Sequence, residues 1–254
     1  MKIVEDKFLT TIMGHSCYNI ILESEVEDLS NISSFLSWLN IKGWTVFCSL
    51  NVSHFQAAKY KDTLYAYGFE FITATVTYKH SFNGGRTFYH LLKRGGEDLR
   101  KQQAISIEDQ IDCVEIARTS FIYDRFHLDS RINKHKADMI KSYWVYNYLT
   151  SKRGESLFVY RVSGKIVGFL ASYSKGTTDG TIGVIDLIAV DSKYRGQGIA
   201  TMLVNTFLYE YSYCPYVIVG TQTTNLPSIR LYDSRAFFVD QITYNTHLHL
   251  GGMH

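Results

Sequence analysis

The stretch IGVIDLIAV, Ile182 to Val190, is apolar at alternate and intervening positions alike, with Asp186 its one charged residue. A strand of that composition is buried on both faces, which demands a sheet covered on two sides. After it come Arg195, Gly196, Gln197 and Gly198, then Ile199, Met202, Leu203, Thr206 and Phe207. Those apolar positions recur at i, i+3, i+4, i+7 and i+8, so an amphipathic helix begins where the glycines stand. A helix N-terminus carries unpaired N–H groups and a partial positive charge, and residues without side chains let an anion approach them closely. The loop reads as a pyrophosphate cradle. It lacks the G-x-G-x-x-G and following acid of dinucleotide-binding folds, and the Gly-Lys-Ser/Thr ending of a P-loop.

Other periodic segments surround this unit. CYNIILE (17–23) and WTVFCSL (44–50) read as strands, with a helix over Asn31–Ile41 that lines up Ile32, Phe35, Leu36 and Leu39. Ser53 and Gln56 form a capping box opening a helix to about Tyr65, and FEFITATVTY (69–78) follows as a β-branched strand. Between His80 and Gln103 the glycine pairs 84–85 and 95–96 break the pattern, and the stretch reads as a connector. Ser106 and Asp109 open a helix containing Ile111, Val114, Ala117 and Phe121, and a second helix spans roughly Lys136–Thr150. SLFVYRV (156–162) and KIVGFLASY (165–173) meet at Ser163-Gly164, a hairpin signal; SKGTTDGT reads as a loop and YVIVGTQ (216–222) as a further strand.

Composition removes several classes of function. A net charge of +2 on 254 residues gives no basic face for nucleic acid. The N-terminal MKIVEDKFLTTIMGH carries Glu5 and Asp6 in place of a secretory apolar core, and no run reaches transmembrane length. Cys17, Cys48, Cys113 and Cys214 are scattered without C-x-x-C pairs, so reduced core thiols in a cytoplasmic protein are expected, with no metal site. The 19 Tyr and 15 Phe suit strands and a pocket with polar-edged walls.

Two motifs in order resemble the GNAT superfamily of acetyltransferases. Ile188 and Val190 stand at its L-x-V strand ending, and Arg195, Gly198 and Ala200 fill the R/Q-x-x-G-x-G/A loop. Downstream, NLPSIRLYDSRAFF resembles the N-x6-Y segment, with Asn225 and Tyr232 at its ends; Ala236 replaces the usual glycine before Phe237, and Ser192 a common proline. Longer stretches, among them ARTSFIYDRFHLDSRINKHKADMIKSYW and the terminal ITYNTHLHL, are similar to acetyltransferases of the dTDP-fucosamine type, which modify dTDP-linked 4-amino-4,6-dideoxygalactose.

The resemblance implies an α/β fold in the α+β sense: the GNAT fold, a mixed, largely antiparallel central sheet flanked by helices. A smaller N-terminal α/β domain would precede it, with residues 1–100 contributing to acceptor binding and 101–254 forming the acetyltransferase domain. It implies acetyl-CoA as cosubstrate, held by Ile188, Ala189 and Val190 through backbone and by Arg195, Gly196, Gln197, Gly198, Ile199, Ala200 and Asn225. Tyr232 would be the general acid for the leaving thiolate, since a phenol is protonated at neutral pH. Asp186, on the same pleat face as Ile188 and Val190 by simple alternation, is the candidate base, against a reading as a hydrogen-bonded acid at the strand's wet end.

Arg125, His127 and Asp129, in a polar loop between two helices, are the candidate acceptor contacts; His247 and His249 read as surface or packing residues. The expected acceptor is a small molecule, a nucleotide-linked amino sugar, and a homodimer is an open expectation. Acetylation of a protein N-terminus or another small amine remains the alternative within enzymes. A non-catalytic acetyl-CoA-binding module is the alternative outside them.

Overall fold

The computed structural model describes residues 1–24, 29–43, 45–82 and 94–251. Residues 25–28, Trp44, the part of the connector from 83 to 93 (Gly84 and Gly85 included) and 252–254 lie outside it. The chain forms two compact units, one of Met1–Thr75, Leu128–Ile132 and Ile242–His254, the other of Val76–His127 and Asn133–Gln241. The division therefore falls near residue 75, not near 100. It is also not sequential, because the last strand supplies backbone partners to the first unit.

In the first unit β1 (Lys2–Glu5) pairs antiparallel with β2 (Ser16–Ile21), β2 runs parallel to β3 (Val46–Ser53), and β3 is antiparallel to β10 (Phe238–Leu250) from Thr243 to Leu250. Next to β10 lies β4 (Glu70–Ser81), which continues into the second unit, as β10 continues back from it. Three helices, α1 (Lys7–Met13), α2 (Ser30–Lys42) and α3 (His54–Ala66), complete it. The capping box forms as the sequence indicates: Ser53 Oγ accepts from Gln56 N, and Gln56 Oε1 accepts from Ser53 N. Ile32, Leu36 and Leu39 of α2 are buried with Leu50, Val52 and Leu64 in one apolar cluster.

In the second unit the strand order is β4, β9 (Tyr216–Gln222), β8 (Gly180–Val190), β7 (Lys165–Thr177), β6 (Ser156–Val162) and β5 (Glu97–Asp98). The β5–β6, β6–β7 and β7–β8 pairs are antiparallel and β8–β9 is parallel. Ser163 and Gly164 both take positive φ, 51° and 83°, as a two-residue hairpin turn requires. The expected loop at SKGTTDGT is instead the continuation of the β7–β8 ladder, which pairs out to Thr177 and Gly180. Only Thr178 and Asp179 turn, because Gly180 (φ 111°) tolerates a conformation that side chains oppose.

Both faces of this sheet are covered, as the all-apolar β8 demands. On one side lies α7 (Ile199–Glu210), whose Ile199, Leu203, Val204 and Phe207 are buried with Ile185, Val190, Val217 and Val219. On the other lie α4 (Ile107–Ser120) and α6 (Lys134–Leu149), whose Cys113, Ala117, Val145 and Tyr148 pack with Phe169, Leu187 and Ala189. A single turn, α5 (Arg125–Leu128), occupies the stretch read as an irregular loop, and α8 (Leu226–Asp233) precedes β10. All four cysteines are buried outside any disulfide, and no helix of the described residues is long and apolar enough to cross a membrane.

Candidate active site

The site begins where β8 and β9 part. Their ladder runs only from Gly183–Val217 to Ile185–Val219, although β8 continues to Val190 and β9 to Gln222. Leu187 to Val190 keep partners on β7. Among the described residues no strand pairs with their opposite edge, so backbone groups there are available to an extended ligand.

The cradle lies just past this edge. Arg195 Nε donates to Val190 O at 3.0 Å and Nη2 to Ser120 Oγ at 3.3 Å, fastening the loop to the strand end and to α4. Gly196 and Gly198 adopt φ of 77° and 79°, and a Cβ on either would meet open space. Their conformation, rather than crowding, requires glycine. Gly198 caps α7 with no side-chain hydrogen bond, so the cap itself leaves the first-turn N–H groups to other acceptors. Gly168 on β7 is needed for closeness, since a Cβ there would sit 3.1 Å from Ile199 and 3.2 Å from Val190.

A cavity of about 420 Å³ joins these parts. It is lined by Ile188, Ala189 and Val190, by Arg195, Gly196, Gly198, Ile199 and Ala200, and by Asn225. Of the residues expected to hold the cosubstrate, Gln197 alone is outside the lining, and it is exposed. The far wall is the segment Ser120–Asp124.

Asn225 is the N-cap of α8: its Oδ1 accepts from Ser228 N at 3.4 Å and its Nδ2 donates to Thr221 Oγ1 at 3.1 Å. Tyr232 ends the same helix but does not line the cavity; it is 1% exposed, with ring centroids 5.8 Å from Tyr78 and 5.5 Å from Phe237. Burial raises its pKa, so the phenol keeps its proton at all physiological pH values.

Asp186 is placed differently from the expectation of simple alternation. Ala171 pairs with Leu187 while Ser172 pairs with Ile185, so Asp186 is the extra residue of a β-bulge. The bulge reverses the pleat. Ile188 and Val190 pack on the α7 side, whereas Asp186 points to the α6 side with Leu187 and Ala189. Its carboxylate accepts from Trp144 Nε1 (2.8 Å), Tyr148 Oη (2.8 Å), Arg153 Nε (2.7 Å) and Arg153 Nη2 (3.0 Å). Four donors saturate it, and it does not line the cavity. The geometry corrects the candidate base to a structural anchor.

The three candidate acceptor residues also separate. Asp129 is 2% exposed, in the first unit, where its Oδ2 accepts from His247 Nδ1 (2.7 Å) and His249 Nε2 (2.8 Å). Burial alone would raise its pKa, but the two imidazoles and the Arg131 N–H outweigh that and hold it far below the ordinary range. Asp129 is thus an internal hydrogen-bonded carboxylate, and His247 and His249 are its packed partners rather than surface residues. Arg125 stacks over Phe126, its guanidinium carbon 4.6 Å from the ring centroid.

His127, with only 6% of its side chain exposed, is clamped between two carboxylates. Its Nδ1 lies 2.5 Å from Asp124 Oδ2 and its Nε2 2.9 Å from Asp138 Oδ1. Burial opposes its charging, but the carboxylates prevail and raise its pKa. Asp124, which the sequence reading passed over, is the sole carboxylate lining the cavity among the described residues. Its signal in the sequence is slight: an acid three positions before a histidine on a turn.

A family model described as Acetyltransferase (GNAT) family matches residues 117–237. The spore coat polysaccharide biosynthesis protein SpsD of Bacillus subtilis is 28% identical over 136 residues, 53% of this chain and 45% of that protein. Human N-alpha-acetyltransferase 30 is 37% identical over 68 residues, 26% of this chain and 19% of that one. The matched regions thus span less than half the length of these curated relatives. Among solved structures, a GCN5-related N-acetyltransferase from Sphaerobacter thermophilus superposes with a TM-score of 0.60 at 11% identity, covering 99% of this chain and 77% of that one. A tandem GNAT protein from the clavulanic acid biosynthesis pathway gives 0.60 at 12%, covering 95% and 77%. The matched segment, a little under half of the chain, is the one that holds the parted strands and the glycine-opened helix; it is similar to the GNAT family of acetyltransferases, and the chain has the GNAT fold.

Proposed function

We propose that the protein transfers the acetyl group of acetyl-CoA to the amino group of a nucleotide-linked sugar, a dTDP-4-amino-4,6-dideoxyhexose. The observation that carries the reading is the single cavity that joins the cradle and free β8 edge to the wall at 120–124, where Asp124 offers a negative charge to an ammonium. The sugar class draws on the similarity to SpsD, whose name assigns it to polysaccharide biosynthesis, and on the sequence resemblance described above.

In this reading the α7 N-terminus and Gly196–Ala200 bind the pyrophosphate, each such helix-end interaction contributing about 0.3–1 kcal/mol. The free edge of Ile188–Val190 orients pantetheine and polarises the thioester carbonyl. The neutral amine attacks the carbonyl carbon, the C–N bond forms and the C–S bond breaks. The sequence resemblance assigns to Tyr232 the donation of a proton to the thiolate, a role that needs its buried hydroxyl to gain access to the cavity, which it does not line. Asn225 caps the start of α8 through Ser228 N and ties it to β9 through Thr221 Oγ1.

The test is an acceptor panel assayed by thiol release: dTDP- and UDP-linked amino sugars, free amino sugars, aminoglycosides and short peptides. Turnover of dTDP-4-amino sugars above the others supports the reading. Turnover of peptides alone would replace it with protein N-terminal acetylation, the second reading, which the match to N-alpha-acetyltransferase 30 favours.

A further inference from the structure

We infer that Asp124, His127 and Asp138 form the route by which the acceptor's ammonium proton leaves the cavity. Asp124 is the catalytic base at the wall, and His127 and Asp138 are positioning residues that pass its proton to water beside Lys134. The inference rests on the acetylation of an amine proposed above.

The groups form one unbroken line. From the cavity wall, Asp124 Oδ2 meets His127 Nδ1 at 2.5 Å, His127 Nε2 meets Asp138 Oδ1 at 2.9 Å, and Lys134 Nζ donates to Asp138 Oδ2 at 2.6 Å. The first three side chains are 7%, 6% and 10% exposed, whereas that of Lys134 is 75% exposed, so the line starts in the interior and ends in water. Local structure fixes each member. Asp124 Oδ1 accepts from Phe126 N at 2.9 Å, holding the carboxylate at the start of α5. Asn133 caps α6, which sets Lys134 and Asp138 one turn apart on that helix.

The chemistry needs such an exit. An ammonium must lose one proton before attack and a second after it; one ends on the departing thiol, and the other must reach solvent. Asp124 takes the first. The proton passes into the imidazole through Nδ1, the Nε2 proton moves to Asp138, and Asp138 releases it to water. The charges around the line favour transit over storage. Lys141, buried against Phe121, Phe126 and Trp144, and the nearby Arg125 surround the Asp124 end, and Arg118 of α4 acts on Asp138. Burial favours protonated Asp124, but Lys141 and His127 outweigh it and keep the carboxyl below its ordinary range. A base so acidic holds a proton only briefly and needs the imidazole behind it. His127 can accept only when neutral, so turnover rises with pH through its raised pKa.

The experiment compares wild type with Asp124→Asn, His127→Gln and Asp138→Asn on dTDP-4-amino-4,6-dideoxygalactose across pH, together with calorimetric titration of acetyl-CoA. Asp124→Asn is expected to lower kcat about 10²-fold and to raise KM for the acceptor, and His127→Gln and Asp138→Asn to lower kcat about 10-fold or more with KM within about twofold; acetyl-CoA affinity stays within about twofold in all three. The wild-type limb should rise above the ordinary histidine range, and in His127→Gln it should move to the ionisation of the acceptor amine alone. Normal acetyl-CoA binding verifies the fold of each variant, and the near-isosteric Asp138→Asn carries the test if His127→Gln does not fold. Wild-type turnover with unchanged rate and limb in His127→Gln and Asp138→Asn overturns the relay while the acceptor reading stands. If wild type acetylates no amine, the acceptor reading fails and the relay with it.

Discussion

Arg153 grips Asp186 with two guanidinium bonds, Nε at 2.7 Å and Nη2 at 3.0 Å, across 33 residues of chain. That grip ties the segment after α6 to the bulge of β8, next to the point where β8 and β9 part. Gly154 makes it feasible, because a Cβ there would overlap the Tyr148 ring that also donates to Asp186. Asp186→Asn keeps an acceptor for the two neutral donors but removes the charge that Arg153 needs. The expected outcome is a stability loss of about 1–3 kcal/mol in denaturant titrations. Where folded protein persists, the pH profile of kcat should be unchanged. A lost alkaline or acid limb in the variant would return Asp186 to the role of base.

Tyr232→Phe separates chemistry from packing. The phenol makes no side-chain hydrogen bond among the described residues, and its ring packs between Tyr78 and Phe237, so phenylalanine should fit with less than about 1 kcal/mol of change. If the hydroxyl protonates the thiolate, kcat falls about 10²–10³-fold while acetyl-CoA binding holds. Near-normal turnover would leave Tyr232 as a core aromatic.

Asp129 gives a pH dependence with a definite sign. Its folded pKa is depressed by His247 and His249, so its contribution is fully present above the unfolded value of about 3.9 and is lost as pH falls through the folded value. Asp129→Asn should therefore be less stable than wild type at pH 7, by about 1–3 kcal/mol, and the two should converge under strong acid. A constant difference from pH 7 to pH 2 would contradict this.

What the sequence made legible was local. Ser53 and Gln56 are three residues apart and form their box, Ser163-Gly164 turns as read, and the apolar run 182–190 is covered on both faces. Asp186 was misread because alternation assumes an unbroken ladder, and one bulge exchanges the two faces. The hydrogen bond of Asp129 with His247 spans 118 residues, beyond any periodicity argument. Asp124 and Asp138, 14 positions apart, become one cluster only because α5 and α6 turn them toward the same imidazole. The connector was opaque for another reason: β5 is two residues long, too short to leave a pattern.

The claim on which the rest depends is that acetyl-CoA lies with its pyrophosphate on the α7 N-terminus. Gly198 is a poor place to test it, because any side chain at φ 79° strains the loop. Thr201, the third residue of α7, lines the cavity, and a glutamate there suits the helix N-terminus electrostatically while opposing the phosphates. Calorimetric titration of acetyl-CoA into wild type and Thr201→Glu, at matched thermal stability, decides the matter. The account predicts that the variant binds at least about tenfold more weakly, a loss of about 1.4 kcal/mol. Equal affinity in the two proteins would contradict it.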